Sequence, residues 1–340
     1  MTINRLELTR PQILAFRRQA GALDERLPPG EDSLRRAAWA GLQDSMPRAA
    51  LLSIHARVAE TEPTAWEHES LVQIWGPRFS VFVIPARDLA VFSLALLPDE
   101  AKGRRRAEET AARLSTVLGT SRMTYGEAAS VLGQHHHRLR YAAATGTMLI
   151  RWEGARAPVI WNVPRPEVDP LEARLELARR YLHIYGPTTA EAFGLWSGLG
   201  PRPAIAAFEV LGGSLTPVAT PIGEGWILAE DEAAFRAEPG PAAPARLLPS
   251  GDAYFLLQGA DRELLVPDAA RRNLLWTPRV WPGAVLVGGG IAGTWRRADR
   301  VLTVQTWRRL SAAERDAVVA EAESLPLPGT GKRILVRWDA

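Results

Sequence analysis

The stretch that decides the fold is residues 41–52, which read GLQDSMPRAALL. It joins a polar triplet, Gln43-Asp44-Ser45, to an apolar run through Pro47. Proline suits the first turn of a helix, because its missing N–H would have no partner there in any case. Apolar residues then recur at helical spacing. The pattern predicts a helix that begins near Pro47 and carries a polar cluster at its start.

Around this helix, the first region of the chain, residues 1–99, combines short helices with a hairpin. A helix is predicted after Pro11 and another over residues 34–42. Two β-like runs, 71–75 and 79–84, follow the central helix. Three helices followed by a hairpin is the order of a winged helix, so residues 1–99 are predicted to form the first such unit.

The same order of helices and then a hairpin recurs twice, in layout and not in residues. Residues 100–168 have predicted strands at 148–152 and 158–163. Residues 169–238 begin with a strongly amphipathic helix and end in a third hairpin. These two regions are therefore predicted to be the second and third winged-helix units.

After a proline- and glycine-rich linker at residues 239–244, the pattern changes to β. Residues 245–340 are predicted to form a small β-rich domain with one helix, at 312–324. Its strands are predicted at residues 254–257, 264–266, 284–287, 291–295, 301–306 and 334–338. The predicted fold class is thus α+β: three tandem winged-helix units followed by a β-rich C-terminal domain.

Composition limits the function. The chain has no cysteine, which excludes disulfides, a thiolate nucleophile and cysteine-ligated metal. The net charge is +3, and all basic residues except Lys102 and Lys332 are arginines. A basic balance suits a polyanionic partner, but a GC-rich genome gives the same bias, so both explanations stay open. No apolar stretch of about 18 residues occurs, so a cytoplasmic, nucleoid-associated protein without membrane contact is expected.

Several stretches resemble the AlkZ/YcaQ-like DNA glycosylases, winged-helix repair proteins that excise N7-alkylated purines and unhook interstrand crosslinks. They are residues 41–52, 178–182, 185–189, 261–265 and 293–297. The resemblance implies a monofunctional DNA glycosylase that hydrolyses the N-glycosidic bond of N7-alkylated purines or crosslinks. It also implies double-stranded DNA as partner, a monomer, and neither cofactor nor metal.

The resemblance implies catalytic residues as well. The family carries Gln, a spacer, then Gln or Asp, which places Gln43 first, Asp44 on the spacer and Ser45 second. An amide can hold a water, and a carboxylate can stabilise developing positive charge. Adjacent helical residues point about 100° apart, so whether Asp44 or Ser45 replaces the second catalytic residue stays open. The alternative is that Asp44 or Ser45 caps the helix that begins near Pro47.

Residues for DNA contact are predicted mainly from basic character and from position. Arg78 keeps the family's arginine at the first hairpin, whereas Phe82 replaces its histidine. The run 135–140 lies where a winged helix carries its recognition helix, and adjacent histidines on a helix diverge, so phosphate contact is favoured over metal. A solvated surface, and for His55 a structural role, are the alternatives. The predicted set is Arg48, His55, Arg78, Ser80, His136, His137, Arg138, Arg140, Arg296 and Arg297.

Three functions remain possible at this point. A glycosylase is favoured by Gln43 and Asp44. A catalytically silent winged-helix DNA-binding protein, either a regulator or a damage binder, is favoured by Ser45 and Phe82. A protein-interaction scaffold needs only the winged helices and predicts no salt-dependent affinity for DNA.

Overall fold

The computed structural model describes residues 5–154, 156–327 and 334–339. Its helices and strands form a mixed α/β architecture with three sheets among the described residues, which confirms the predicted mixture at this coarse level. No described helix is both long enough and apolar enough to cross a membrane. The helices are α1 (Arg10–Ala20), α2 (Glu31–Ala37), α3 (Ala49–Arg57), α4 (Leu89–Ser93), α5 (Ala101–Leu118), α6 (Tyr125–Val131), α7 (Pro170–Tyr185), α8 (Ala190–Ser197), α9 (Pro201–Leu211), α10 (Glu232–Arg236), α11 (Asp261–Leu265), α12 (Ala269–Leu275) and α13 (Ala312–Glu323).

The strands are β1 (Leu6–Glu7), β2 (Leu42–Gln43), β3 (Leu71–Trp75), β4 (Val81–Pro85), β5 (Met123–Thr124), β6 (Met148–Arg151), β7 (Val159–Asn162), β8 (Leu215–Thr220), β9 (Gly223–Leu228), β10 (Ala245–Leu248), β11 (Gly283–Val287), β12 (Gly290–Ala298), β13 (Val301–Thr306) and β14 (Leu335–Asp339). Short 3-10 helices, including Pro77–Phe79 and His136–Thr145, lie between some of them.

The first two predicted units share one sheet. Its strand order is β2-β4-β3-β6-β7-β5, and the two hairpins meet where Gln73 of β3 pairs with Ile150 of β6. An unpaired strand edge leaves backbone donors and acceptors without partners, and this junction covers one edge of each hairpin. The first and second units are therefore fused through their hairpins.

The N-terminal segment lies with the third hairpin. Strand β1 pairs in parallel with β8, with Leu6 opposite Val218. Ile13 and Phe16 of α1 belong to the same apolar cluster as Val218 and Phe235. Residues 6–20 were predicted as the start of the first unit, and in the structure they lie beside the third hairpin. Periodicity shows that α1 has an apolar face, but it does not show which element covers that face.

The C-terminal sheet has the order β10-β11-β12-β13-β14, and α13 packs against it. The strands predicted at 284–287, 291–295 and 301–306 are present. Those predicted at 254–257 and 264–266 are wrong, because these residues fall largely in a 3-10 helix, Ala253–Phe255, and in α11. Short apolar runs do not by themselves distinguish a buried strand from a buried helical turn. Strand β10 was not predicted.

A buried ion pair joins α3 to the segment that follows β10. Arg57 donates to both carboxylate oxygens of Asp252, at 2.7 and 2.8 Å, and the Ser53 hydroxyl donates to the same carboxylate at 2.6 Å. The Asp252 carboxylate also accepts the backbone N–H of Tyr254 at 2.9 Å. Because each charge is paired and hydrogen-bonded, the desolvation cost of burying both is offset.

Replacing Asp252 with alanine should lower the free energy of unfolding by about 3–5 kcal/mol, because it leaves the Arg57 guanidinium buried without its counter-charge. The measurement is urea unfolding followed by circular dichroism. The matched control is Asp32→Ala, since the Asp32 side chain is 98 % exposed in its ion pair with Arg35, and its loss should cost about 1 kcal/mol or less. Equal effects of the two substitutions would contradict the structural role of Asp252.

Candidate active site

Gln43 ends the edge strand β2, Asp44 follows it and Ser45 lies in a bend, so the triplet is not helical. Gln43 pairs with Phe82 of β4, and the backbone N–H of Asp44 donates to the carbonyl of Val81 at 2.7 Å. Successive side chains of an extended segment point to opposite faces. In agreement, Asp44 is buried, whereas Gln43 is half-buried and Ser45 is exposed. Asp44 therefore faces inward and Ser45 faces solvent, whereas the Gln43 side chain lies against Gly251.

Asp44 is bound on both carboxylate oxygens. One oxygen accepts the backbone N–H of Ala50, in the first turn of α3, at 3.0 Å, and the other accepts the Gln73 amide at 2.6 Å. The first contact satisfies one backbone N–H of the first turn of α3, whereas the N-cap position of this helix is Arg48. The Gln73 side chain continues the network by accepting the Trp152 N–H at 2.8 Å and donating to the Trp152 carbonyl at 3.2 Å. Asp44 thus connects β2, α3 and the end of β6.

Burial has the largest effect on the pKa of Asp44. Removal from water raises the pKa of this carboxyl to about 7, although the bonds from Ala50 and Gln73 and the charges of Arg48 and Arg151 oppose the shift. Near neutral pH the carboxyl group therefore exists in both protonation states.

Gln43 is supported from behind by the segment that follows β10. A Cβ atom placed on Gly251 would lie 3.4 Å from Cδ of Gln43, and Gly251 has a φ of +76°, where side chains are disfavoured. The Oε1 atom of Gln43 is buried and has no hydrogen-bond partner among the described residues. Gly251 precedes Asp252, so the Arg57–Asp252 ion pair also fixes the backbone beneath the Gln43 amide.

Two arginines flank the start of α3. The Arg48 guanidinium lies 5.2 Å from the centre of the Trp66 ring and that of Arg151 lies 4.1 Å from it. Glu67 also pairs with Arg151 at 2.9 Å. Both guanidiniums lie near enough to act on the Asp44 carboxyl, although Glu67 offsets part of the charge of Arg151.

The comparison with known proteins covers the part of the chain that contains this site. The family model described as DNA glycosylase AlkZ-like matches residues 36–326. The chain belongs to the AlkZ-like DNA glycosylase family. This confirms the family that the sequence motifs indicated.

Among solved structures, the fold is similar to that of Streptomyces sahachiroi DNA glycosylase AlkZ, with a TM-score of 0.79 and 21 % sequence identity. The match covers 98 % of this chain and 100 % of the other. A search of curated proteins gave no match.

His55 of this AlkZ-like chain does not face a groove. Its side chain is buried between α3 and α13, where one ring nitrogen lies 3.0 Å from the Ser324 hydroxyl. Burial, together with the charges of Arg26 and Arg246, lowers the His55 pKa to about 3. The predicted DNA contact of His55 is therefore corrected to the structural alternative: every residue of α3 is buried, so this helix offers no exposed position.

Arg78 is also occupied within the protein. Its guanidinium donates to the carbonyl of Trp196, and its backbone packs against Gly198 at the end of α8. The turn between β3 and β4 thus docks on the third region, and the DNA contact of Arg78 stays a prediction. Ser80, two residues later, is half-buried.

The remaining predicted cations lie on other elements. Arg138, Arg296 and Arg297 are exposed. Arg140 is half-buried and donates to the hydroxyl of Tyr125 at 3.0 Å. The structure does not bring these arginines into contact with the triplet, and their role as phosphate contacts stays a prediction.

The pH dependence of stability tests the burial of Asp44. Its pKa is about 7 in the folded protein and about 4 in an unfolded chain, so the folded state binds more protons between these values. The free energy of unfolding should therefore fall as pH rises through this window. Asp44→Asn, which cannot titrate, should flatten the curve, whereas the exposed control Asp32→Asn should not. Parallel curves for wild type and Asp44→Asn in urea unfolding would contradict the assignment.

Proposed function

We propose that this protein is a monofunctional DNA glycosylase that hydrolyses the N-glycosidic bond of N7-alkylated purines, including those in crosslinks. The observation that carries the proposal is the Gln43 amide: its Oε1 is buried without a partner among the described residues, two positions before the exposed Ser45, in a chain of the AlkZ-like DNA glycosylase family. The name of the similar Streptomyces protein supports the same activity class.

The chemistry fits a site without a strong acid. An N7-alkylated purine is cationic, so it leaves without protonation, and the protein must position a water against an oxocarbenium-like sugar. Oε1 of Gln43 is an acceptor that can orient this water, and the Ser45 hydroxyl is a second group able to hold it. Asp44 acts as a positioning residue, because its bonds to Ala50 and Gln73 fix the strand that presents Gln43.

DNA binding is proposed through the three helix-and-hairpin regions, which we interpret as tandem winged-helix units. Double-stranded DNA is the partner, bound by a monomer through phosphate contacts from Arg48 and the exposed Arg138, Arg296 and Arg297. Such contacts position the duplex and make the affinity depend on salt.

One observation favours a second function, a catalytically silent DNA-damage binder. The only carboxylate of the triplet, Asp44, is 3 % exposed and faces away from the Gln43 side, and Ser45 carries no charge. A site of this kind can hold a lesion without stabilising positive charge on the sugar.

Base release separates the two functions. With excess protein and low salt, wild type should release 7-methylguanine from a defined duplex above the spontaneous rate. Gln43→Ala should reduce this release about 100-fold, by loss of a preorganised polar group, while DNA affinity stays nearly unchanged. The control is Gln19→Ala, an exposed glutamine on α1, which should match wild type. Release at the spontaneous rate by wild type, with salt-dependent binding in the same sample, would establish the silent binder instead.

A further inference from the structure

Three consecutive histidines converge on the surface beyond α6. One ligand nitrogen from each of His135, His136 and His137 lies within 4.8 Å of the other two. The ring centres of His135 and His136 are 4.3 Å apart, as are those of His136 and His137. Among the described residues, this is the one group of three or more His, Asp or Glu side chains close enough to share an ion.

The backbone explains why these neighbours converge. Histidines inside an α-helix diverge, and the sequence prediction against metal depended on that geometry. Here His135 precedes the helical segment in an extended conformation, with φ −67° and ψ 133°, and the segment His136–Thr145 is a 3-10 helix. The Tyr125 ring packs edge-on against His136 at 5.1 Å, which holds the middle ring of the cluster in place.

We propose that His135, His136 and His137 bind a divalent transition ion of the Zn²⁺ type through three imidazole nitrogens. Zinc–nitrogen bonds are about 2.0–2.1 Å long, which places tetrahedral ligand atoms about 3.4 Å apart. His135 and His137 are exposed, so side-chain rotation can close the remaining gap. Three protein ligands leave a fourth position for water or a phosphate oxygen.

The surroundings of the cluster permit this binding. The His137 backbone N–H donates to Nδ1 of His135 at 3.3 Å, a long bond whose replacement by a metal bond costs little. The Arg140 guanidinium is held against Tyr125 and Trp75. Arg138 is exposed. These cations reduce the affinity for a metal ion without occupying the ligand nitrogens.

Zinc titration of the untagged, full-length protein against a chromophoric chelator tests the site. Wild type should bind one equivalent, and X-ray absorption should show nitrogen ligands at about 2.0–2.1 Å. The variant His135→Gln/His136→Gln/His137→Gln should lose this equivalent, whereas His68→Gln, which removes a histidine outside the cluster, should keep it. Zinc should also raise the melting temperature of wild type but not that of the triple variant.

Absence of zinc uptake by wild type, or equal uptake by the triple variant, would overturn the proposal. Thermal unfolding of the metal-free proteins verifies that the variants are folded. If the triple variant is unfolded, the exposed single variant His137→Gln serves instead and should weaken zinc binding at least about tenfold, within the range for loss of a ligand interaction. None of these readouts depends on base release, so the metal site and the glycosylase proposal stand or fall separately.

Discussion

The buried ion pair between Arg57 and Asp252 is the interaction on which the candidate site depends. It fastens the end of α3 to the segment after β10, and Gly251 in that segment supports the Gln43 amide. A buried pair of this kind is costly to form and far more costly to break from one side. The ion pair therefore acts mainly by fixing α3 against the segment after β10, although the two are about 200 residues apart in sequence. The contact between these two parts shapes the site.

The polar triplet shows how local backbone geometry assigns roles to adjacent residues. Since residues 43 and 44 continue the edge of a sheet, alternation sends Asp44 toward α3 and Gln73, and sends Gln43 to the opposite side, beside Gly251. In that inward position the carboxylate accepts the Ala50 N–H and the Gln73 amide, and burial raises its pKa. This inward position agrees with the positioning role proposed for Asp44.

Sequence patterns predicted the helices and strands better than they predicted which of these elements pack together. The hairpins at 71–85 and 148–162, and the helix that follows Pro47, have strong local signals in proline, glycine and alternating residues. No local sequence signal indicates that β3 pairs with β6 or that β1 lies beside β8, because tertiary packing selects these neighbours. Gln73 and Gly251 were not predicted for the same reason. A lone glutamine in a strand and a glycine in a turn acquire a role only through partners far along the chain. The convergence of the three histidines was not predicted, because it depends on the extended conformation of His135, which precedes the helical segment.

The arginine-rich composition has a structural explanation beside any contact with DNA. Arg17 is fully buried and donates to the backbone carbonyls of Tyr185, Gly186 and Pro187, so one guanidinium satisfies the end of α7. Arg180 of α7 donates to both carboxylate oxygens of Asp88 and so joins α7 to the first region. A planar guanidinium with five donors can serve several carbonyls at once, which an ammonium group cannot do equally well.

Much of the positive charge in this chain is thus already neutralised or bonded within the fold. Only the arginines that remain at the surface can give the protein its affinity for a polyanion, and their positions carry more information about DNA than the net charge does.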